Sequence, residues 1–309
     1  MAEMTPHIAA MTVFCNERFR IKAWKEFYND YRKSLDLHVI INNGDKKDTE
    51  FLKSEFPDSV VLECKKPNLL SAYNIGLDYI LHDKKINAIM QITNDIKFES
   101  GAIEKMLDYL LNNESVGVVG PVICKRDSNI IESSGWVLSK FFGGGKPLFR
   151  SIDYNDLSAN GPQQVTFIPA GAIMVRRSAW EKIGHQDEAL YMYQDERDFS
   201  INLKKKGYSE IVLFNSRAWH QHQNAPGKKT RPLSSIYYST RNRIYVTKKH
   251  YGRWMALLEF CYLVFYTLIL MIKHIICCQI KYLKCDQTAL KGLFDGIRGK
   301  MNKIPPSNN

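Results

Sequence analysis

The sequence predicts an α/β fold in which a mostly parallel central sheet is flanked by helices, followed by a helical C-terminal region. Short apolar segments alternate with segments of helical length through the first half of the chain, which is the pattern of βαβ units. Polar clusters stand directly after several of the apolar segments. After Pro232 the composition becomes basic and aromatic, and then strongly apolar, which indicates a separate region.

Five apolar segments of the first half have the length and composition of buried strands. They are Ile8–Phe14, Leu37–Ile41, Ser59–Leu62, Ala88–Ile92 and Val116–Val122. The segments between them carry apolar residues at helical spacing, which predicts helices over Ala23–Ser34, Thr49–Phe56, Leu70–His82 and Ala102–Leu111. This alternation favours a parallel sheet, because a helix can return the chain to start each new strand in the same direction.

Three polar clusters follow predicted strands, at Phe14–Asn16, Asn42–Asp45 and Asn94-Asp95. The carboxyl ends of parallel strands share one edge of a sheet, and ligands bind at that edge. A carboxylate there, that of Asp95, could hold Mg²⁺ or Mn²⁺ and leave room for phosphate oxygens. It could instead cap the turn or helix that follows. The Asn42–Asp45 segment could contact a base or ribose, or could simply form a turn.

The second half of the chain predicts fewer regular elements. Phe141–Pro147 is glycine-rich and predicts a flexible loop, and the apolar stretch Val165–Val175 predicts a strand. A short helix is expected at Ser178–Ile183 and a further strand at Ile211–Phe214. Between them, Tyr191–Lys206 carries a group of carboxylates followed by a basic helical tail.

Acidic residues cluster at Asp195, Glu196 and Asp198. Asp195 and Asp198 are three positions apart and would share a face of a helix. Crowded carboxylates resist simultaneous ionisation, which raises a pKa towards the value that a general base needs. The alternative is a solvated first helical turn, where acids are favoured by the helix dipole.

Two further polar groups allow a functional or a structural interpretation. His220 and His222 follow a predicted strand, and a neutral imidazole can bind a metal; an isolated pair is otherwise ordinary surface structure. Arg241-Asn242-Arg243 could contact phosphates or could form a solvated helix face.

The C-terminal region combines an apolar run with many cations. Trp254–Ile272 has nineteen positions and one charge, Glu259, which is near the length of a membrane-spanning helix. Between residues 241 and 303 there are twelve lysines and arginines against three acids. Because Lys273 and His274 interrupt the run, we expect a helix in the membrane interface or a partly inserted hairpin rather than a clean span. A buried core helix or a dimer helix is the alternative.

The composition limits the types of protein and of partner that are possible. The chain has 309 residues, of which 45% are hydrophobic and 24% charged, with a net charge of +11. This describes a folded protein with an anionic partner, such as a nucleotide, nucleic acid or acidic membrane. Seven cysteines without a C-x-x-C pair predict neither a zinc site nor a disulfide framework. Reduced thiols in a cytosolic setting are therefore expected. The N-terminal residues lack a signal-peptide pattern.

From about Ile8 to Lys303 the chain resembles the inverting family-2 glycosyltransferases of the GT-A fold, particularly bacterial rhamnosyl- and galactosyltransferase-like members. The most specific stretch is Ile168–His222. Its familial features are a glycine before an apolar strand, paired arginines, a G-x-x-D-E element, an acidic cluster, a basic helix ending in G-Y and a terminal histidine. In this sequence they are Gly171, Arg176-Arg177, Gly184 with Asp187-Glu188, Asp195-Glu196 with Asp198, Gly207-Tyr208 and His220.

The N-terminal matches are looser. Val13–Asn16 looks like the first nucleotide-binding turn, and Asn42 stands where the family usually has an Asp that contacts the base. Asn68–Gly76 resembles a familial segment without its first glycines, and Thr93-Asn94-Asp95 occupies the D-x-D position with only the last acid kept. The resemblance implies a donor site formed by Phe14, Asn16, Asn42, Asn74, Asn94, Asp95 and Gly171.

The resemblance also implies a chemistry. A Mg²⁺ or Mn²⁺ ion would be held by Asp95 and His220, and a single displacement with inversion would occur at the anomeric carbon. A carboxylate of Asp195 or Glu196 would remove the acceptor proton, Asp195 being preferred because it aligns with the acid that the family keeps. Asp198 would orient the helix or the acceptor.

The expected function is transfer of a sugar from a UDP- or dTDP-sugar to a lipid-linked or oligosaccharide acceptor in cell-surface polysaccharide synthesis. The expected domains are residues 1–232, divided near residue 125 into donor and acceptor halves, and a membrane-associating region at 233–309. The location would be the cytoplasmic face of the cell membrane. No nucleic-acid partner is expected, and a homodimer is left open.

Two other functions compete. A non-catalytic basic protein that binds nucleic acid or membrane would explain the charge, but the sequence has no helix-turn-helix, zinc-finger or RNA-recognition pattern. A nucleotidyltransferase would need a glycine-rich, lysine-bearing loop near the N-terminus, and Cys15–Arg20 has no glycine.

Overall fold

The structure is a computed structural model that describes residues 7–138, 145–169, 171–221 and 233–301. Its contacts divide the described chain into two units. The first comprises residues 7–138, 145–186 without residue 170, and 199–221, and the second comprises 187–198 and 233–301. The sequence-based boundary at residue 232 stays a prediction, and residues 187–198 group with the C-terminal helices.

The first unit contains the strands. They are β1 (His7–Phe14), β2 (Leu37–Asn42), β3 (Val60–Glu63), β4 (Ile86–Ile92), β5 (Ile96–Phe98), β6 (Val116–Lys125), β7 (Ile131–Ser133), β8 (Trp136–Leu138), β9 (Gly145–Pro147), β10 (Gln163–Val165), β11 (Ala172–Arg176) and β12 (Ser209–His220). Its helices are α1 (Ile21–Tyr31), α2 (Asp48–Glu55), α3 (Leu69–His82), α4 (Ala102–Asn112) and α5 (Arg177–Ile183). The helix α6 (Asp195–Lys205) begins in the second unit and ends in the first.

The main sheet has the strand order β10-β12-β6-β11-β4-β1-β2-β3. Six of these eight strands run in one direction, while β10 and β11 run against them. The carboxyl ends of β1, β2, β4, β6 and β12 therefore lie at one edge. Strand β5 follows β4 almost at once and pairs antiparallel with the end of β12, where Ile96 is the partner of His220. This pairing brings the segment after β4 beside the end of β12.

The sheet is held by apolar residues of its strands and of the amphipathic helices packed on it. Phe14 on β1 stacks on Trp24 of α1, and Trp24 packs in turn on Phe56 beyond α2. These three rings are almost fully buried. Burial of aromatic side chains of this size is a large part of the hydrophobic stabilisation of a core.

The strands and helices predicted in the first half are confirmed, with shifts of at most a few residues at their ends. The prediction of one strand over Val165–Val175 is wrong. The stretch forms the end of β10 and the whole of β11, and the chain leaves the main sheet between them. Pro169 explains the break, because proline has no N–H to donate to a strand ladder. Phe167 instead stacks on Trp136 with ring centroids 5.7 Å apart.

The second unit is built from α7 (Leu233–Ile276) and α8 (Leu283–Ile297). Gly252 interrupts α7 with φ 88° and ψ 171°, a conformation that glycine adopts without strain. The two helices approach closely at Gly292, where a Cβ atom would lie 2.7 Å from the carbonyl oxygen of Tyr237. A core of Ile244, Ala256 and Leu293 lies between them. Helix α7 is long and apolar enough to cross a membrane by length and composition.

Glu210 on β12 gives a prediction for stability. Its side chain is fully buried, accepts a hydrogen bond from the backbone N–H of Ile168, and burial raises its pKa from 4.5 to about 8. A raised folded-state pKa stabilises the fold below the unfolded value and loses that contribution as the pH rises through the folded value. We therefore expect Glu210→Gln to flatten the fall of melting temperature between about pH 5 and about pH 9. The exposed Glu50→Gln variant is the control, and thermal denaturation is the measurement; equal slopes for all three proteins would contradict the prediction.

Candidate active site

The segment after β4 meets the end of β12 through one carboxylate and one imidazole. Asp95 Oδ2 lies 3.3 Å from His220 Nε2. The backbone N–H of Gln221 donates to the carbonyl oxygen of Asp95 at 2.7 Å, which fixes the two segments together. The structure thus places side by side the two residues expected to bind a metal.

Glu132 on β7 determines how His220 is oriented. His220 Nδ1 lies 3.3 Å from Glu132 Oε1, on the opposite side of the ring from Asp95. A carboxylate on one ring nitrogen is the usual way in which proteins orient a metal-binding histidine and increase its basicity. Burial works against protonation here, but hydrogen bonds to Asp95 and Glu132 raise the pKa of His220 to about 9.

Arg20 and Asn94 complete this cluster. Arg20 Nη1 lies 3.1 Å from Asp95 Oδ2 and 3.3 Å from Asn94 Oδ1, and Asn94 Nδ2 donates to Glu17 at 2.7 Å. Burial opposes ionisation of Asp95, but the hydrogen bond from His220 and the charges of His220 and Arg20 lower its pKa to about 2. Asp95 is therefore ionised at neutral pH, and its negative charge lies at the edge of the sheet. We call Glu17, Arg20, Asn94, Asp95, Glu132 and His220 the strand-edge cluster.

The donor set of the strand-edge cluster fits a divalent cation held together with a phosphate ligand. Asp95 offers a hard carboxylate oxygen and His220 an imidazole nitrogen, both suited to Mn²⁺. Among the described residues no group of three or more His, Cys, Asp and Glu side chains is arranged to hold a metal. A cation would therefore need further oxygens from its ligand, as Mg²⁺ and Mn²⁺ do at phosphate sites.

The turn after β2 is built by Asn42. Its Oδ1 accepts from Gly44 N–H at 3.0 Å, and its Nδ2 donates to the carbonyl oxygen of Asp45 and to Thr49 Oγ1. The side chain is completely buried. These contacts favour the turn interpretation of Asn42 over direct contact with a base.

The neighbouring turn after β1 is anchored by Asn16. Its Oδ1 accepts from Asp45 N–H at 2.8 Å. A Cβ atom at Gly44 would lie 2.3 Å from that same oxygen, so the turn requires glycine there. Asn16 itself is exposed and has φ 55°. The two turns form one polar rim at the ends of β1 and β2.

Three other residues expected at the donor site have identifiable structural contacts. Phe14 is fully buried against Trp24, which is a core position. The Asn74 amide exchanges two hydrogen bonds with the backbone of Gln186, at 3.0 and 2.8 Å. The carbonyl oxygen of Gly171 accepts from Thr93 N–H, which places Gly171 against the segment that carries Asp95. Their expected role at the donor site stays a prediction.

The acidic cluster at the start of α6 belongs to the second unit. Asp195 is its first helical residue and is nearly buried. Burial, and then the negative charge of Glu196, raise the pKa of Asp195 well above its usual range. Asp198 accepts hydrogen bonds from Lys249 Nζ at 2.9 Å and from His250 Nε2 at 2.6 Å. Asp198 therefore joins α6 to α7 within this unit, and its expected role in orienting the helix or the acceptor stays a prediction.

The segment before Asp195 has an unusual backbone. Tyr191, Tyr193 and Gln194 have φ values of 66°, 64° and 65°, which non-glycine residues rarely adopt. Such conformations persist only where surrounding contacts impose them, and they concentrate at functional sites. We call residues 189–194 the acid-preceding loop.

Asn242 and Arg241 on α7 supply those contacts. Asn242 Nδ2 lies 2.8, 2.8 and 2.9 Å from the carbonyl oxygens of Leu190, Met192 and Tyr193. Arg241 Nη2 donates to two carbonyl oxygens of the same loop, and its Nε donates to Asn242 Oδ1. Both side chains are completely buried. Phosphate contact and a solvated helix face are therefore both wrong for this pair.

Sequence reasoning also missed Glu17, Arg20 and Glu132 of the strand-edge cluster. Each is an ordinary charged residue without a local motif, and only the sheet order brings it to Asp95 and His220. Arg20 alone could have been suspected from the sequence, because it comes just after the first predicted turn, Phe14–Asn16. His222 and most of the glycine-rich segment Phe141–Pro147 lie outside the described residues.

No protein-family model matches the chain. Two curated proteins from two strains of Mycobacterium tuberculosis are similar to it, and both are N-acetylglucosaminyl-diphospho-decaprenol L-rhamnosyltransferases. Each is 22% identical over 172 residues, which covers 52% of this chain and 55% of the relative. The chain thus spans about half the length of the curated relatives it matches.

Two solved structures resemble the fold over most of the chain. The mannosyltransferase PcManGT from Pyrobaculum calidifontis, in complex with GDP-Man and Mn²⁺, has a TM-score of 0.57 at 11% identity. The alignment covers 96% of this chain and 90% of that one. GalNAc-T7 with UDP, GalNAc and Mn²⁺ has a TM-score of 0.59 at 14% identity, covering 80% of this chain and 48% of that one. At these identities the likeness concerns the fold.

Proposed function

We propose that this chain, which has the GT-A fold, is an inverting glycosyltransferase that moves a sugar from a UDP- or dTDP-sugar to a lipid-linked acceptor in cell-surface polysaccharide synthesis. The observation that carries the proposal is the pairing of Asp95 and His220 at the carboxyl edge of the sheet. The rhamnosyltransferase relatives support the lipid-linked acceptor. The solved structures of similar fold were obtained with nucleotides or a nucleotide-sugar and Mn²⁺.

The strand-edge cluster is proposed to hold the diphosphate of the donor. Asp95 and His220 would bind a divalent cation, which stabilises the charge that develops on a leaving diphosphate. Glu132 keeps Nε2 of His220 directed towards Asp95. Arg20 provides a second positive charge within 3.1 Å of the Asp95 carboxylate. A guanidinium is well suited to bind phosphate oxygens through its several N–H groups.

The acidic cluster is proposed to remove the proton of the acceptor hydroxyl. A general base is most effective when its pKa is near the working pH, and burial together with Glu196 raises the pKa of Asp195 in that direction. Removal of the proton makes the hydroxyl oxygen a better nucleophile. Attack on the anomeric carbon opposite to the leaving diphosphate inverts its configuration.

Metal-dependent donor binding gives a direct test of the strand-edge cluster. We expect UDP- or dTDP-sugars to raise the melting temperature in the presence of Mn²⁺, because a ligand specific to the folded state stabilises it. Asp95→Asn and His220→Ala should lose most of the Mn²⁺-dependent part of this shift. The measurement is a thermal-shift screen of nucleotide-sugars with and without Mn²⁺.

The matched control is His185→Ala. His185 Nε2 lies 2.6 Å from Asp78 Oδ1, so this variant removes an exposed Asp–His pair elsewhere in the same unit. It should retain the full Mn²⁺-dependent shift. Equal shifts in His185→Ala, Asp95→Asn and His220→Ala would reject the assignment of the cation to Asp95 and His220.

A further inference from the structure

The second half of α7 presents an apolar surface that no other part of the described chain covers. After Gly252 one side of the helix packs on α8 through Ala256, Phe260, Leu263 and Val264. The other side carries large exposed residues, which are Trp254, Leu257, Leu258, Tyr262, Phe265, Tyr266, Leu268, Ile269, Ile272, Ile275 and Ile276. Only 17% of the most apolar window of this helix is buried. A helix from the core of a soluble protein would be mostly buried, so this surface needs an outside partner.

The charges around this apolar face identify the partner. Between Lys248 and Lys284 there are six lysines and arginines, at positions 248, 249, 253, 273, 281 and 284. The one acid in that range, Glu259, is buried and accepts from Arg243. An apolar face in a segment with six cations and one acid complements a surface with an apolar interior and anionic headgroups. Exposed Trp254 and Tyr262 are of the type enriched at the lipid–water boundary.

Two features decide how the face meets the membrane. Residues 253–276 form a helix of about 36 Å, long enough to span a hydrocarbon core. Helix α8, however, packs along it and exposes a polar stripe of Lys284, Gln287 and Lys291. A spanning α7 would carry this stripe into hydrocarbon, where lysine side chains are strongly disfavoured. An orientation in the plane of the interface keeps the stripe in water.

We propose that α7 and α8 form a membrane-docking hairpin that lies flat on an anionic lipid surface, with the Trp254–Ile276 face inserted and α8 directed towards water. A second copy of the chain could cover the same face, but it would bring two segments with an excess of positive charge together, which is unfavourable. The proposal concerns attachment and does not depend on the proposed transfer activity.

Vesicle flotation of the full chain tests the hairpin. We expect binding to vesicles of equal parts phosphatidylcholine and phosphatidylglycerol, and much weaker binding to phosphatidylcholine alone or at high salt. Phe265→Glu with Ile269→Glu should lower the partition coefficient by more than about a hundredfold, because two inserted side chains are replaced by anions. Both positions are exposed, at 64% and 47%, so the fold does not depend on them. Ile152→Glu with Tyr79→Glu makes the same change at exposed positions of the first unit and should bind normally.

Charge reversal provides a second, independent variant. Lys273→Glu with Lys281→Glu should weaken binding to the anionic vesicles by roughly thirtyfold or more, since each lysine near such a surface contributes about a factor of five. The matched control is Lys84→Glu with Lys85→Glu, in the turn between α3 and β4. Normal binding of the Lys273 and Lys281 double variant would contradict the electrostatic part of the proposal.

Two further results would overturn the proposal. Resistance of the vesicle-bound chain to alkaline extraction would mean a spanning helix rather than a flat hairpin. A stable dimer by light scattering, disrupted by Phe265→Glu with Ile269→Glu and accompanied by no vesicle binding, would assign the face to a second copy of the chain. Release by alkaline carbonate and a monomer in the absence of lipid are the expected results.

Discussion

Replacing Asp195 by asparagine together with Glu196 by glutamine is expected to abolish sugar transfer while donor binding is retained. The two changes remove both carboxylates that could accept the acceptor proton, and they keep the size and polarity of the side chains. Loss of a general base costs about a hundredfold to ten-thousandfold in rate. Since these residues belong to the second unit and the strand-edge cluster to the first, the Mn²⁺-dependent thermal shift with nucleotide-sugar should remain.

Single variants and the pH profile then distinguish the two carboxylates. We expect Asp195→Asn to lose more activity than Glu196→Gln. A base must be deprotonated to act, so the wild-type rate should fall as the pH drops through the raised pKa of Asp195, above the range of an ordinary aspartate. The control is Glu188→Gln, which neutralises an exposed acid of the same unit. Undiminished transfer by the double variant would reject the assignment of the general base to Asp195 or Glu196.

The central sheet could be predicted from the sequence because its information is local. Buried strands such as Ile86–Ile92 appear as continuous apolar runs, and helices such as Leu69–His82 show the helical spacing that separates them. The local pattern was misleading at Val165–Val175, an apolar stretch that resembles one strand. Pro169 divides it. Strand order depends on contacts between distant segments, and no periodicity encodes it.

The candidate site could be predicted only in part, because it too depends on contacts between distant segments. Asp95 and His220 are far apart in the sequence, and their association came from a family resemblance rather than from spacing. Arg241 and Asn242 are polar residues on a helix, which are usually exposed, yet both are completely buried. Tyr191, Tyr193 and Gln194 have positive φ values, yet none of them is a glycine, the residue type that would signal this conformation in a sequence. The strain of this loop becomes visible only in three dimensions.

Asn242→Ala is expected to reduce the transfer rate by about a hundredfold because it displaces Asp195 and Glu196. Asn242 is remote from these acids in the sequence. The substitution removes the amide that lies within 2.9 Å of three carbonyl oxygens of the acid-preceding loop. Without these bonds the strained residues can relax, and Asp195 follows the last of them directly. Misplacement of a reacting group by about 1 Å is enough for a loss of this size.

The effect of Asn242→Ala should appear in kcat, with the KM for the donor nearly unchanged, because the donor is assigned to the other unit. Tyr237→Phe is the matched control for general destabilisation. It removes a buried hydrogen bond between α7 and α8, that of Tyr237 Oη to Asp295 at 2.9 Å, and keeps the Asn242 amide that contacts the loop. If both variants lower the melting temperature but only Asn242→Ala lowers kcat, the loss arises from the position of the acids. Equal losses of kcat in the two variants would mean that α7 acts through stability alone, and Asn242 would then have no specific part in the reaction.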